Sequence, residues 1–302
     1  MSETAPIADG ETGFDRVLAF SVPDLDARGR VVRLGPVLDT VLSAHDYPAP
    51  VAHLLAEALV LTALMGALLK EEDSQLTIQA QAEDGAVEML VCDYRKGELR
   101  GYVRHDPERL GKLGANPTLA ALFGKGFLAI TFDLAVTDER YQGVVSLEGD
   151  SLAQVCESYF VKSEQVPTLL KVAVRTQGGR HVAAGLLVQH LPEGEEGRAR
   201  LHVEMEHPHW EHVSTLAGSI RHEELVDPAL SMEDIVWRLF NQEKEVRAHP
   251  LSPLVRGCRC TADYYQSVLS RFPETERAEM RDDEGLISID CAFCSKIFRV
   301  AA

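Results

Sequence analysis

The chain is short of positive charge, of unbroken apolar sequence and of nucleotide-binding motifs, and each shortage excludes something. Its 30 lysines and arginines face 47 aspartates and glutamates, a formal net charge of -17 that repels phosphate backbones and argues against nucleic acid as a partner. The longest apolar stretch, Val51 to Leu69, contains His53 and Glu57 near its start. A bilayer span takes about 20 predominantly apolar residues, so a buried core helix is expected there, and no membrane partner. Met1 to Gly13 is polar and acidic, without the basic start or apolar centre of a signal peptide. A soluble, cytoplasmic protein is therefore expected, in a compartment where thiols are normally reduced. No G-x-x-x-x-G-K-[ST] or G-x-G-x-x-G run occurs, and Gly124-Lys125 lacks the upstream glycine that lets backbone amides cradle phosphate. With no G-x-S-x-G elbow either, nothing supports an ATPase or a hydrolase, and no enzyme is expected.

What is present fits one sizeable core with a small appended module. The 302 residues are 45% apolar and 25% charged, ordinary globular values. Strands are expected at Val17 to Val22 and Arg30 to Leu34, and helices at Pro36 to His45 and Ala49 to Lys70. Strand-like runs follow at Gln75 to Ala82, Val87 to Tyr94 and Glu98 to Arg104, broken by Asp84-Gly85 and Lys96-Gly97 as in an antiparallel meander. Gly126 to Leu134 and Tyr141 to Leu147 resume strand character, Asp150 to Lys162 reads as a helix, and Thr168 to Arg175 and His181 to Gln189 as a strand pair. Strands and helices do not alternate regularly, so the class is α+β: a mixed N-terminal core (1–191) with antiparallel sheet and central helices. A helical linker region (192–257) begins with an acidic loop at Glu193 to Glu206 and carries helices near His209 to His222 and Ser231 to Phe240. In the second of these, Met232, Ile235, Val236, Leu239 and Phe240 share one stripe behind a Ser231 N-cap. His249-Pro250 and Ser252-Pro253 break the chain before a C-terminal module (258–302).

That module holds four of the six cysteines, as Cys258-Arg-Cys260, thirty residues, then Cys291-Ala-Phe-Cys294. Two close pairs separated by a short folded segment are how small zinc modules supply four thiolates to a tetrahedron. Soft thiolates select zinc over magnesium or calcium, and a closed set of four leaves no open position for catalysis. About forty-five residues bury little core, so the metal is expected to supply most of the folding free energy, roughly 10–16 kcal/mol. Neighbouring cysteines can also be joined to each other, Cys258 with Cys260 and Cys291 with Cys294. The spacing leaves two readings open, a peroxide- or hypochlorite-responsive latch and a permanently reduced structural zinc, and by itself favours the second.

The C-x-C…C-x-x-C set with Phe293 resembles the zinc-binding end of the heat-shock protein 33 family, and the resemblance extends upstream. His45-Asp-Tyr-Pro48, Leu54-Leu55-Ala-Glu57, Leu76-Thr-Ile-Gln79 and Arg100-Gly-Tyr102 are similar to that family's N-terminal core. Tyr141-Gln-Gly143, Tyr159-Phe160, Ser163-Glu-Gln165 with Pro167-Thr168, and Ala184-Gly185-Leu-Leu followed by Leu191-Pro192 resemble its middle. The motifs run in the family's order from about Asp15 to Val300, with Thr261 in place of a usual serine and Phe298 in place of a tyrosine. The resemblance implies an ATP-independent holdase that is inactive when reduced with one zinc per chain. Oxidation forms the two neighbour disulfides, releases zinc, unfolds the C-terminal region and yields an active, usually dimeric chaperone. Carried over, Cys258, Cys260, Cys291 and Cys294 are both ligands and redox centres, and about Ser231 to Gly257 is the linker that loosens. Unfolded proteins are the implied clients, with transfer to ATP-dependent foldases. On this reading Met232, Ile235 and Leu239 form a candidate client-binding stripe, covered while the module is folded and bared when it is not. An ordinary surface helix docked on the core is an equal reading, and the two fit different redox states.

Other signals carry less. His202, His207, His209 and His212 crowd one stretch, but no cysteine or carboxylate set completes a metal site around them. Cys92 and Cys156 read as core thiols. A zinc-ribbon nucleic-acid binder needs a basic face. Here Arg256, Arg259, Lys296 and Arg299 are offset by an intervening loop with Glu274, Glu276, Glu279, Asp282, Asp283 and Glu284. A thiol oxidoreductase needs its C-x-x-C between a strand and a helix, whereas Cys291 to Cys294 lies between strand-like runs at Leu286 to Asp290 and Lys296 to Val300.

Overall fold

The structure is a computed structural model and describes residues 13–71, 73–191 and 207–301. The acidic loop expected at Glu193 to Glu206, His202 within it, and most of the polar N-terminus lie outside the described residues. Strands β1 (Arg16–Val22) and β2 (Ala27–Leu34) pair antiparallel around a 3-10 turn at Pro23–Leu25. Gly35 and Pro36 end the strand and open helix α1 (Pro36–Leu42), whose entry is held by the Asp15 carboxylate. It accepts the amides of Gly35 and Val37 at 2.9 and 3.0 Å. Helix α2 (Ala49–Gly66) follows Pro48, which fixes the extended entry. Then comes the expected meander of β3 (Gln75–Ala82), β4 (Val87–Arg95) and β5 (Glu98–His105). Lys96 and Gly97 both take positive φ, 52° and 79°, in the two-residue turn joining β4 to β5, where glycine is the residue with no steric cost.

Two short helices stand outside the expectation, α3 (Pro107–Leu110) and α4 (Leu119–Phe123), capped by the side chains of Asp106 and Thr118. The chain continues through β6 (Gly126–Leu134), β7 (Glu139–Ser146) and α5 (Leu152–Tyr159), which runs on into a π-helical turn at Phe160–Glu164. Strands β8 (Thr168–Gln177) and β9 (Arg180–His190) complete the first 191 residues. Beyond residue 207, the single helix expected to His222 is two, α6 (Pro208–Gly218) and α7 (His222–Leu225), and α8 (Met232–Phe240) starts from the Ser231 cap as read.

Residues 241–257 carry two short strands that the sequence did not signal, β10 (Arg247–Pro250) and β11 (Val255–Arg256). They are edge strands, β10 on β1 and β11 parallel to β5, which is where proline is tolerated in a sheet. The stretch between the cysteine pairs is also more ordered than the acidic loop expected. It forms α9 (Ala262–Leu269), capped by Thr261, and α10 (Glu274–Met280), and only Asp282 to Glu284 remain in a turn before the hairpin of β12 (Leu286–Asp290) and β13 (Ile297–Ala301).

The sheets run β10-β1-β2-β9-β8 and β11-β5-β4-β3-β6-β7. Helix α2 lies between them. Apolar on nearly every face, it is 78% buried although long and apolar enough to cross a membrane. Val51, Leu55, Leu59, Val60 and Leu64 meet Leu76, Ile78, Leu90 and Leu99 of the second sheet and Val32, Leu34 and Leu187 of the first in one core. The alternation in β3 (Leu76, Ile78 and Ala80 buried, Thr77, Gln79 and Gln81 half-buried) leaves a mixed polar outer face on the second sheet. The outer face of the first sheet is apolar and covered by α6 to α8. There Leu18, Phe20, Val31, Leu186 and Val188 pack on Val213, Leu225, Ile235, Val236 and Phe240.

Candidate metal centre

Both cysteine pairs sit where local backbone geometry aims two thiols one way. Cys258 to Cys260 follows β11 after Gly257, outside regular structure. Cys291 to Cys294 is the tight turn of the β12–β13 hairpin. The Cys291 amide donates to the Lys296 carbonyl at 3.0 Å, and the amides of Cys294 and Ser295 donate to the Cys291 carbonyl at 3.1 and 2.8 Å. Ser295 closes the knuckle at φ 55°. The hairpin and α9 then bring the pairs together. Sγ–Sγ distances are 3.2 Å for Cys258–Cys260, 3.5 Å for Cys258–Cys291 and 3.5 Å for Cys260–Cys294, and all four sulfurs lie within 4.8 Å of one another. A tetrahedron with zinc–sulfur bonds of 2.3 Å has edges of about 3.8 Å, so a small outward relaxation accommodates the ion. Among the described residues this is the one group of three or more candidate ligands close enough to share a metal.

The four thiols are electrostatically unequal. Cys291 is held down to about 7. Burial opposes its ionisation, but the Tyr265 hydroxyl, the Phe293 amide and the thiols of Cys258 and Cys294 donate to its thiolate and outweigh that cost. Burial raises Cys258 and Cys260, and the close neighbouring thiols push Cys260 up further. Four sulfurs this close cannot all ionise without a cation among them. The chemistry of the donor set therefore fits a soft divalent ion. Around it the module's own core is small: Leu269, Ile287, Cys291, Phe298 and Val300 are buried, with the Tyr265 ring 5.1 Å from Phe298. Phe298, one of the two departures from the family pattern, thus fills that core.

The module lies on the outer face of the second sheet. Arg259, between Cys258 and Cys260, donates to Gln75 Oε1 at 3.0 Å and pairs with Asp93 at 3.5 Å and Glu98 at 3.8 Å. Asp93 is 5% exposed and also accepts from Thr77 Oγ1 and the Arg100 guanidinium at 2.8 and 2.6 Å. Phe293, between Cys291 and Cys294, lies 4.0 Å under the Arg100 guanidinium and edge-on to Tyr102 at 5.0 Å. Ser295 Oγ is 3.1 Å from His45 Nδ1, and the His45 ring stacks on Tyr47. Gly257 lets β11 approach β5, since a Cβ there would stand 2.3 Å from that of Glu98. The sequence reading named the four cysteines and missed Arg259 and Phe293 as docking residues. Their signal was that both are large side chains inside ligand motifs whose own chemistry needs neither.

The remaining candidates fall elsewhere. Met232, Ile235 and Leu239 are buried, but their cover is the first sheet; no described residue of the cysteine module belongs to that cluster. Folding of the module does not itself cover this stripe. Cys92 and Cys156 are fully buried, and burial pushes both thiols far above their ordinary value. His207 stacks on His190 and meets His209 edge-on, while His212 is 2.9 Å from Glu243, so these rings serve packing and pairing.

Comparison with known proteins bears on the whole chain. The family model described as "Hsp33 protein" matches residues 15–301. The chain belongs to the Hsp33 family. A 33 kDa chaperonin of Caulobacter vibrioides is 40% identical over 310 residues, covering 99% of this chain and 98% of its own. Chaperonins of the same name from Vibrio cholerae and Escherichia coli are 35% and 32% identical, covering 91% and 93% of this chain and 88% and 90% of their own. A solved structure of an Hsp33 homologue from Thermotoga maritima matches with a TM-score of 0.75 at 20% identity, over 95% of each chain, and carries the fold. This Hsp33 chain is thus a member of a chaperone family, with a four-cysteine cluster able to hold a metal ion.

Proposed function

We propose that the protein is a cytoplasmic, ATP-independent holdase switched by the redox state of Cys258, Cys260, Cys291 and Cys294. The observation that carries the reading is the convergence of four sulfurs from two remote pairs within 4.8 Å, in a module with too little core to fold by itself. Zinc, one per chain, is the ion the thiolate set favours; when bound it supplies the cross-link that the small core lacks. Residues 1–191 then form the core, 192–257 the linker and 258–302 the switch.

Activation takes two electrons per pair. Cys258 and Cys260, which would be thiolates while holding the metal, lose one electron each as their S–S bond forms, and a peroxide takes up those two electrons and two protons from solvent to become two waters. Cys291 and Cys294 react likewise. Neither disulfide leaves a ligand for the metal. The module unfolds, β11 and β10 lose their anchor, and the outer face of the second sheet is opened to unfolded clients. The Met232, Ile235 and Leu239 stripe adds to that surface if the linker loosens as far as α8. Dimerisation of the active form and hand-over to ATP-dependent foldases belong to the same reading.

The test is light scattering from a denatured client diluted into oxidised, metal-free protein and into reduced, zinc-loaded protein. Suppression of aggregation by the oxidised form alone is the expected result. Equal suppression in both states, or none in either, reduces the cysteines to a permanent structural site.

A further inference from the structure

The residues that fasten the module to the core are the non-ligand residues of the ligand motifs themselves. Arg259 is the centre of Cys258-Arg-Cys260, and its guanidinium reaches Gln75, Asp93 and Glu98 on three adjacent strands. Phe293 occupies Cys291-Ala-Phe-Cys294 and is gripped between Arg100 and Tyr102 on β5. Arg100 joins the two grips, because it binds Asp93 at 2.6 Å and covers the Phe293 ring at 4.0 Å. Side chains whose Cα atoms are flanked by ligands are held in position only while those ligands converge.

We infer that Arg259 and Phe293 form a two-point latch that reports the state of the thiol cluster to the core, so that docking can be lost while the metal stays bound. The inference rests on the metal-switch reading but concerns this chain's own residues. Two features set the latch at moderate strength. Arg259 and Arg100 share one carboxylate, Asp93, so the two guanidiniums repel each other across it. The ion pairs at Arg259 are 3.5 and 3.8 Å long, against 2.6 Å for Arg100 on the same Asp93. Asp93 keeps Thr77 and Arg100 when Arg259 leaves, so release does not strand a buried charge in the core. By linkage, whatever free energy the docked state adds to the folded module also opposes oxidation and metal loss.

The test compares reduced, zinc-loaded full-length chains: the parent, Arg259→Ala with Phe293→Ala, the core-side variant Arg100→Ala, and Arg271→Ala as an exposed control on the module. Three quantities are read: zinc per chain, hydrogen exchange at the Val255 and Gly257 amides, which donate to Gly97 and Leu99, and the rate of zinc release by peroxide. The latch requires one zinc per chain throughout. Exchange and release should both be faster by about tenfold in the double variant and in Arg100→Ala, a free-energy change of roughly 1.4 kcal/mol, and the control should match the parent. Parental exchange in both docking variants overturns the latch. So does outright zinc loss from the double variant with a parental Arg100→Ala, which makes Arg259 and Phe293 part of the module's folding. A parent that binds no zinc sinks the metal reading instead, and exchange in the metal-free chains then decides the latch separately.

Discussion

Glu57 shows how a single buried carboxylate is tolerated in the central helix. It projects from α2 toward the first turn of α5 and accepts the Ala153 amide at 3.1 Å, a donor that the helix itself leaves free. Burial pushes its carboxyl above the ordinary value of 4.5, and the amides of Ala153 and Leu152 offset only part of that. The folded chain therefore holds this proton more tightly than the unfolded one. Stability from this group is present in full below pH 4.5 and falls as pH rises through the raised folded value. Glu57→Gln removes the charge and keeps an acceptor for the amides. Its urea midpoint should match the parent's near pH 4 and exceed it near pH 8. A gap that does not change with pH would mean that the ionised carboxylate costs the fold nothing. The sequence marked Glu57 as a flaw in a membrane span, and that much was correct. Its partner at α5 is nearly a hundred residues away and had no local signal.

At the scale of elements, what was legible is what repeats. Strand β3 reads off its alternation and α2 off its length and uniform apolarity, because both patterns fill a window longer than one turn. Helices α3 and α4, of four and five residues, hold too little period to be seen, and β10 and β11 exist only because β1 and β5 offer them edges. The cysteines were legible because ligand chemistry is written in spacing. The docking surface was not, since Asp93, Arg100 and Tyr102 become neighbours only when β4 and β5 pair. Helix α8 falls between these cases: its stripe was legible, and of the two readings open for it, a client site or a helix docked on the core, the structure shows the docking. Ile235 is fully buried against the first sheet, and Arg33 from β2 ties the α7–α8 connection by donating to the Leu225 and Leu230 carbonyls at 2.9 and 2.8 Å. Ile235→Ser should cost about 3 kcal/mol by emptying that contact, and Leu239→Ser somewhat less, both measurable in urea. Client capture by the oxidised variants then separates two roles for the helix. Weakened capture with the core intact assigns α8 to the client surface, and undiminished capture leaves it as packing.

The whole molecule places its two C-terminal attachments on opposite faces. After residue 207 the chain covers the outer face of the first sheet with α6 to α8, passes along the edge of that sheet as β10, crosses to the edge of the second as β11, and ends in the cysteine module on the second sheet's outer face. The two attachments differ in kind. Helix α8 is held by apolar burial and by Arg33, and neither involves the cysteines. The module is held by a four-cysteine cluster able to hold a metal ion and by the contacts of Arg259 and Phe293, over a core of a few side chains. If the cluster holds zinc, chelation removes a term of roughly 10–16 kcal/mol from the module and nothing from α8. Unfolding should therefore begin at the C-terminal end and stop before the helices. Hydrogen exchange of the reduced chain with a strong chelator should show β12, β13 and β11 losing protection, while α2, β3 and α8 keep theirs at 25 °C. Baring the α8 stripe would then require a second stress, such as mild heating, that weakens an apolar contact. Simultaneous loss in α8 and the module on chelation alone would show that the crossing strands couple the two faces into one cooperative unit. Full protection everywhere would show that the module folds without its metal.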